Sequence, residues 1–253
     1  MCWNMAASAS LAVAGTAGSI YFWKKGEDKA LCVPLFYFAI MEMIQTYTWT
    51  VIDQCFDPGN QAATTAAYLH IAFQPFFFNA IAMHFIPHHR RQKIWKGVYF
   101  LCLIASLAIV ARILPLEWKH YCFEIRYRVP FTDNLIYRIP FCGGVACTTT
   151  GAWHMEWAIK AGFNWYLDRA YFVSVFLLPL AYGSWKATLY AAIGPLITLI
   201  TTDTSNEFAS VWCFYSVALV LLMIKLPIRK YLYVDSFYGT GWFGFRKQQS
   251  ESD

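Results

Sequence analysis

Charge is what this chain has least of. Only 14% of its 253 residues are Asp, Glu, Lys or Arg, while 58% are hydrophobic. A soluble domain of this size can bury a core without so many long apolar runs, so the composition argues against one. The chain lacks a Gly-rich phosphate loop, a Ser nucleophile elbow and a CxxC pair. It therefore shows none of the common local signatures of nucleotide binding, serine hydrolysis or dithiol redox chemistry. No basic stretch precedes the first apolar segment, Ala6–Trp23, so that segment reads as a spanning helix and not as a cleavable signal peptide. The net charge of +5 is no nucleic-acid signal, because most Lys and Arg fall in short loops beside apolar segments.

Apolar runs are what the chain has in excess. Several approach or exceed the roughly 17–25 residues that cross a bilayer. Seven spans are expected, at about 6–23, 29–51, 61–86, 95–114, 166–185, 187–202 and 207–225. Aromatics make up 19% and cluster near span ends, as interfacial Trp and Tyr do. Loop charge sets the orientation. Lys24, Lys25 and Lys29, then Arg90, Arg91, Lys93 and Lys96, then Lys186, then Lys225, Arg229 and Lys230 mark one side. The 53–60 loop between has no Lys or Arg. The basic side is cytoplasmic by the positive-inside rule, so the N-terminus is outside or lumenal and the C-terminus inside. The expected architecture is an all-α membrane protein. One integral domain covers 1–230, with an outer-side insertion at about 115–165, and a cytoplasmic tail covers 231–253.

The insertion carries a short repeat, Arg128-Val129-Pro130-Phe131 and Arg138-Ile139-Pro140-Phe141, around Thr132-Asp133-Asn134. Folding about Thr132 makes a hairpin with Cys122 opposite Cys142, a disulfide candidate outside the cytosol. The alternative is two free thiols beside apolar surface. Residues 147–165 include Trp153, His154, Glu156, Trp157 and Trp165. They read as an amphipathic helix in the interface, or as a re-entrant cap. Gly194-Pro195 interrupts the sixth span, either lining a cavity or forming an ordinary kink packed on a neighbour.

Glu42 and His70 stand out because ionisable side chains within spans are costly and mark functional sites by default. Glu42, Gln45, Thr46 and Trp49 share one face of the second span. His70 and Gln74 lie one turn apart on the third, followed by Asn79 and His84. Glu42 and His70 both fall about 14 Å from the outer ends of their helices, so antiparallel neighbours can bring them together. Thr198, Thr201, Thr202, Asp203, Asn206 and Glu207 gather at the outer end, with Cys2 and Asn4 predicted nearby. The set suggests a polar cavity opening outward, with Gln45, Gln74, Asn206 and Glu207 as substrate-binding candidates. Glu42 and His70 suit a general base pair, two metal ligands, or a proton or substrate path. The alternative is a Glu–His hydrogen bond that only fixes helix packing.

If Met1 is removed, Cys2 gains a thiol and an amine on one carbon, a possible nucleophile or metal chelate. Otherwise it is a small residue, or a lipidated thiol, at the bilayer edge. The run His84-Phe85-Ile86-Pro87-His88-His89 resembles the box of membrane di-iron desaturases. Six histidines spread over both sides are too few for that chemistry. The run fits better as a basic inner edge, with Arg90 and Arg91, against anionic headgroups. No second helix supplies matching axial ligands for haem. No cofactor is implied, and nothing fixes an oligomeric state.

Met1-Cys2-Trp3-Asn4, with Glu42-Met43-Ile44-Gln45, His70-Ile71-Ala72-Phe73-Gln74-Pro75, Gly194-Pro195 and Asn206-Glu207 to Trp212-Cys213, resembles an uncharacterised family of small multi-pass membrane proteins. Its members occur in bacteria, protists and large DNA viruses. They begin Met-Cys-(Phe/Trp)-(Ser/Asn). The resemblance implies the multi-pass architecture and no reaction, and it leaves out 115–145. The leading expectation is a transporter or receptor for a small molecule. An intramembrane enzyme acting on a lipid-like substrate and an assembly factor without a catalytic site are the alternatives. Membrane lipids are the expected partners in each case.

Overall fold

The computed structural model describes residues 4–113, 127–128, 135–136, 141–152, 154–160, 165–202 and 207–234. It is mostly helical. The first helices start where capping chemistry permits. α1 (Met5–Lys24) is capped by the Asn4 carboxamide on Ala7 N, and α2 (Lys29–Thr48) by Asp28 on Ala30 N. α3 (Pro58–His84) is capped by Asp57, with Pro58 in its first turn. α4 (His88–Val110) follows Pro87 and runs into a 3₁₀ turn, Ala111–Ile113. α5 (Trp165–Phe172) passes through a π-turn at Val173–Leu177 into α6 (Leu178–Ala181). Gly183, at φ +96°, turns the chain into α7 (Trp185–Thr201). α8 (Phe208–Lys225) and the short α9 (Arg229–Leu232) complete the order.

Among the described residues five helices are long and apolar enough to cross a membrane: α1, α2, α3, α4 with its 3₁₀ turn, and α8. α2 packs between α1, α3 and α8, α4 packs on α3, and α7 packs on α8. Gly15 lets α1 approach α2 closely, since a methyl there would lie 2.8 Å from Ala39 Cβ. Gly194 brings α7 onto the Trp212 ring, where a methyl would sit 3.0 Å from the indole. The Gly194-Pro195 break is thus packed against a neighbouring helix.

The segment expected to be an interfacial helix is instead a β-hairpin. β3 (Phe141–Thr150) pairs antiparallel with β4 (Met155–Lys160). The cause is a period of two: Met155, Trp157 and Ile159 are buried, while Glu156 and Ala158 are less so. Three successive threonines, Thr148–Thr150, favour the facing strand. A second pairing joins β1 (Tyr127–Arg128) to β2 (Leu135–Ile136). The Thr132 turn, Cys122 and the side chain of Cys142 lie outside the described residues. At the other end Leu232 and Val234 are buried, and Val234 N–H donates to the Phe85 carbonyl (2.9 Å). Leu232 and Val234, placed in the tail by sequence, therefore pack on the bundle.

Candidate functional site

The buried face of α2 carries Glu42 and Gln45, both 0% exposed. Neither carboxylate oxygen of Glu42 has a hydrogen-bond partner among the described residues. The Ser8 hydroxyl of α1 lies beside it without hydrogen-bond geometry. Cys213 of α8 is a further neighbour. Buried polar groups are nearly always paired, so an unpaired carboxyl demands an explanation.

Next to Glu42 a polar chain crosses the bundle with fixed direction. Trp212 Nε1–H donates to the Tyr171 hydroxyl (3.1 Å), which donates to Gln74 Oε1. Gln74 Nε2–H then donates to Cys213 Sγ (3.3 Å). Indole nitrogen can only donate, which sets the sense of the whole chain. About one turn beyond Glu42 on α2, Gln45 Nε2–H donates to the Ser210 carbonyl (3.4 Å). Further along α3 from Gln74, Asn79 donates to the Pro75 and Ser174 carbonyls (both 2.8 Å) and accepts from Tyr182 (3.0 Å). Ser174 belongs to the π-turn, an element often retained at functional positions.

His70 does not join Glu42. Its Nε2–H donates to the Tyr37 carbonyl (2.7 Å), and the Tyr37 hydroxyl donates back to the His70 carbonyl. The two rings stack at 3.9 Å between centroids. Depth alone placed the pair together; the helix faces separate their hydrogen bonding. His70 Nδ1 has no partner among the described residues. The threonine hydroxyls expected to line the outer end bond their own helix: Thr198 to Gly194, Thr201 to Ile197 and Thr202 to Thr198. Glu207 is buried at the start of α8, beside Gly151 of the hairpin. Cys2, Asp203 and Asn206 lie outside the described residues. Among the described residues no three His, Cys, Asp or Glu side chains gather to hold a metal ion.

Two further polar clusters went unseen in the sequence. In the first, Cys55 of the α2–α3 loop is disulfide-bonded to Cys147 of β3. Asn60 donates to the Val51 and Thr148 carbonyls (2.8 and 2.9 Å) and accepts from Thr148 N–H (2.8 Å) and Thr64 (3.2 Å). Asp53, in left-handed backbone at φ +66°, accepts from Thr150 N–H and its hydroxyl, each at 2.7 Å. In the second, at the opposite end of the bundle, Arg229 forms a bidentate pair with Glu27 (2.6 and 2.7 Å). His84 bridges Asp28 (2.8 Å) and the Tyr233 hydroxyl (2.9 Å). The Arg229 hydrogen bonds hold the Glu27 carboxyl below its ordinary range. Burial pushes the Asp28 carboxyl up, but the Ala30 amide and His84 outweigh it and leave it lowered. The adjacent acids Glu27-Asp28, inside an otherwise basic loop, were the sequence signal for this cluster.

Apolar helices of membrane-crossing length around a buried polar centre define the class: a helical bundle compatible with the bilayer. Residues 6–233 match the family of unknown function DUF5765, and the chain belongs to that family. The match begins beyond Met1-Cys2-Trp3-Asn4 and includes the 115–145 segment. No curated protein and no solved structure matches the chain.

Proposed function

We propose that this is a seven-span integral membrane protein, N-terminus outside, that transports or senses a small molecule through a proton-exchanging carboxyl at Glu42. The carrying observation is Glu42 itself, fully buried with both oxygens unpartnered among the described residues. A group kept at that cost fits a role in taking up and releasing a proton or a solute. The exposed apolar side chains of α7 (Leu189, Leu196, Leu199 and Ile200) and of the α5–α6 run (Phe172, Val173 and Leu177) favour lipid contact for the two shorter spans. The Cys55–Cys147 bond supports the orientation, because disulfides persist on the oxidising side and both cysteines sit opposite the basic loops. Gln45 and Gln74 are the amides placed to orient a solute beside Glu42, with Glu207 further out.

The test is proton uptake by protein reconstituted in vesicles loaded with a pH-sensitive dye. Wild type is expected to move protons under an imposed gradient, and Glu42→Gln to lose that flux while keeping its fold. Equal flux in both proteins overturns the reading.

A further inference from the structure

We propose that the β3–β4 hairpin is a plug seated in the outer mouth of the bundle, and that the Cys55–Cys147 bond is the strap that keeps it closed over the Glu42 centre. The inference names the outer face as the access route of that centre, and so rests on the functional reading above.

Three layers carry it. In the outermost, the plug is fastened to the α2–α3 loop by the disulfide and by the Asp53 carboxylate on Thr150, and to the start of α3 by two hydrogen bonds between Asn60 and the Thr148 backbone. In the second, the plug enters the bundle. Met155 and Trp157 are 0% and 1% exposed and belong to the same apolar core as Phe38, Met41, Trp212 and Cys213. The Ser210 hydroxyl of α8 donates to the Met155 carbonyl (2.9 Å), and Gln45 of α2 donates to the Ser210 carbonyl. His154 reaches the Thr201 carbonyl at the end of α7 (3.3 Å). One hairpin therefore bonds α7 and α8 and, through Ser210, α2. The third layer lies one turn deeper. Cys213 is three residues inward of Ser210, about 4.5 Å along the helix, and Glu42 is three residues inward of Gln45. Gln74, Cys213 and Glu42 thus sit beneath the hairpin.

A packed hairpin is a poor permanent wall for a site that must exchange with the outer phase, since every group in the seal can be released by moving one two-stranded element. The strap decides how often that happens. It is tied to the loop that precedes α3 and not to the spans themselves, so cutting it frees the hairpin without cutting the bundle.

Cys213 is a native reporter of the site. It is one of three free, buried cysteines among the described residues, with Cys32 near the inner end of α2 and Cys102 of α4 against the Pro75 carbonyl of α3. The experiment is N-ethylmaleimide labelling of the full chain in lipid nanodiscs, read peptide by peptide by mass spectrometry, with and without a phosphine reductant. The same labelling of Asn60→Ala, strap intact, loosens the plug without creating thiols. The expected result is a tenfold or greater rise in Cys213 labelling on reduction, a smaller rise in Asn60→Ala, and no change at Cys32 and Cys102. Equal rises at all three cysteines would make the strap a general staple and overturn the plug. No rise at Cys213 in either condition overturns it as well. Labelling reports opening whether or not Glu42 exchanges a proton. The plug can therefore stand when Glu42→Gln leaves flux unchanged, and fall when flux is lost.

Discussion

Asn60 and Glu42 are sealed from solvent to the same degree, each 0% exposed, yet they sit at opposite extremes of satisfaction. Asn60 spends both donors and both acceptor positions on four protein groups. Glu42 spends neither oxygen on any described residue. The first residue is explained by the fold it holds: it fastens a strand to a helix start. The second is not explained by the fold in the same way, because its carboxyl has lost its water without a hydrogen bond to any described residue in return. Burial alone therefore does not mark a site. The balance between burial and pairing does.

The comparison breaks most sharply under substitution. Asn60→Ala should destabilise by about 3 kcal/mol, since it strands the Thr148 N–H as well as losing the other bonds of the carboxamide. Thermal unfolding in detergent measures it, and a loss below about 1 kcal/mol would remove Asn60 as the clamp. Gly151→Ala should cost about 1–2 kcal/mol by overpacking, because the added methyl meets Glu207 Oε1 and lies 2.5 Å from the His154 carbonyl. The same melts report it, and a neutral result would mean that the hairpin turn yields easily. Glu42→Leu should go the other way, leaving stability unchanged or raising it by about 1 kcal/mol, while proton flux disappears. A loss comparable to that of Asn60→Ala would mean that Glu42 is paired after all, and the contrast would collapse.

The smallest effect concerns acid. The Glu27 carboxyl is held below its ordinary value of 4.5 by Arg229. Its contribution is therefore full above that value and is lost as pH falls through the lower, folded value. The pair is partly exposed, so it is worth at most about 1 kcal/mol. Melting curves of wild type and Glu27→Gln should differ at neutral pH and converge in acid. Curves that stay parallel into acid would show that Glu27 carries no linkage.

Much of the helical framework was legible in the sequence. The expected span at 29–51 begins at the α2 start, Lys29, and that at 207–225 ends at the α8 end, Lys225. Length and hydropathy are local, so they read well. Glu42, Gln45, His70 and Gln74 were also legible as buried polar positions. Their partners were not, because depth along a helix says nothing about rotation around it; His70 found Tyr37 instead of Glu42. The hairpin was misread because Trp, His and Glu within 153–157 mimic an amphipathic helix when the alternation at 155–159 is overlooked. The Cys55–Cys147 bond joins residues 92 apart, a separation no local pattern encodes.

That same bond makes a closed ring of covalent chain with α3 and α4 inside it. On the proposed seven-span topology both ends of the ring meet on one side of the bilayer, so the bond can close only after α3 and α4 have both crossed, and its closure then records that the two helices were threaded in opposite directions.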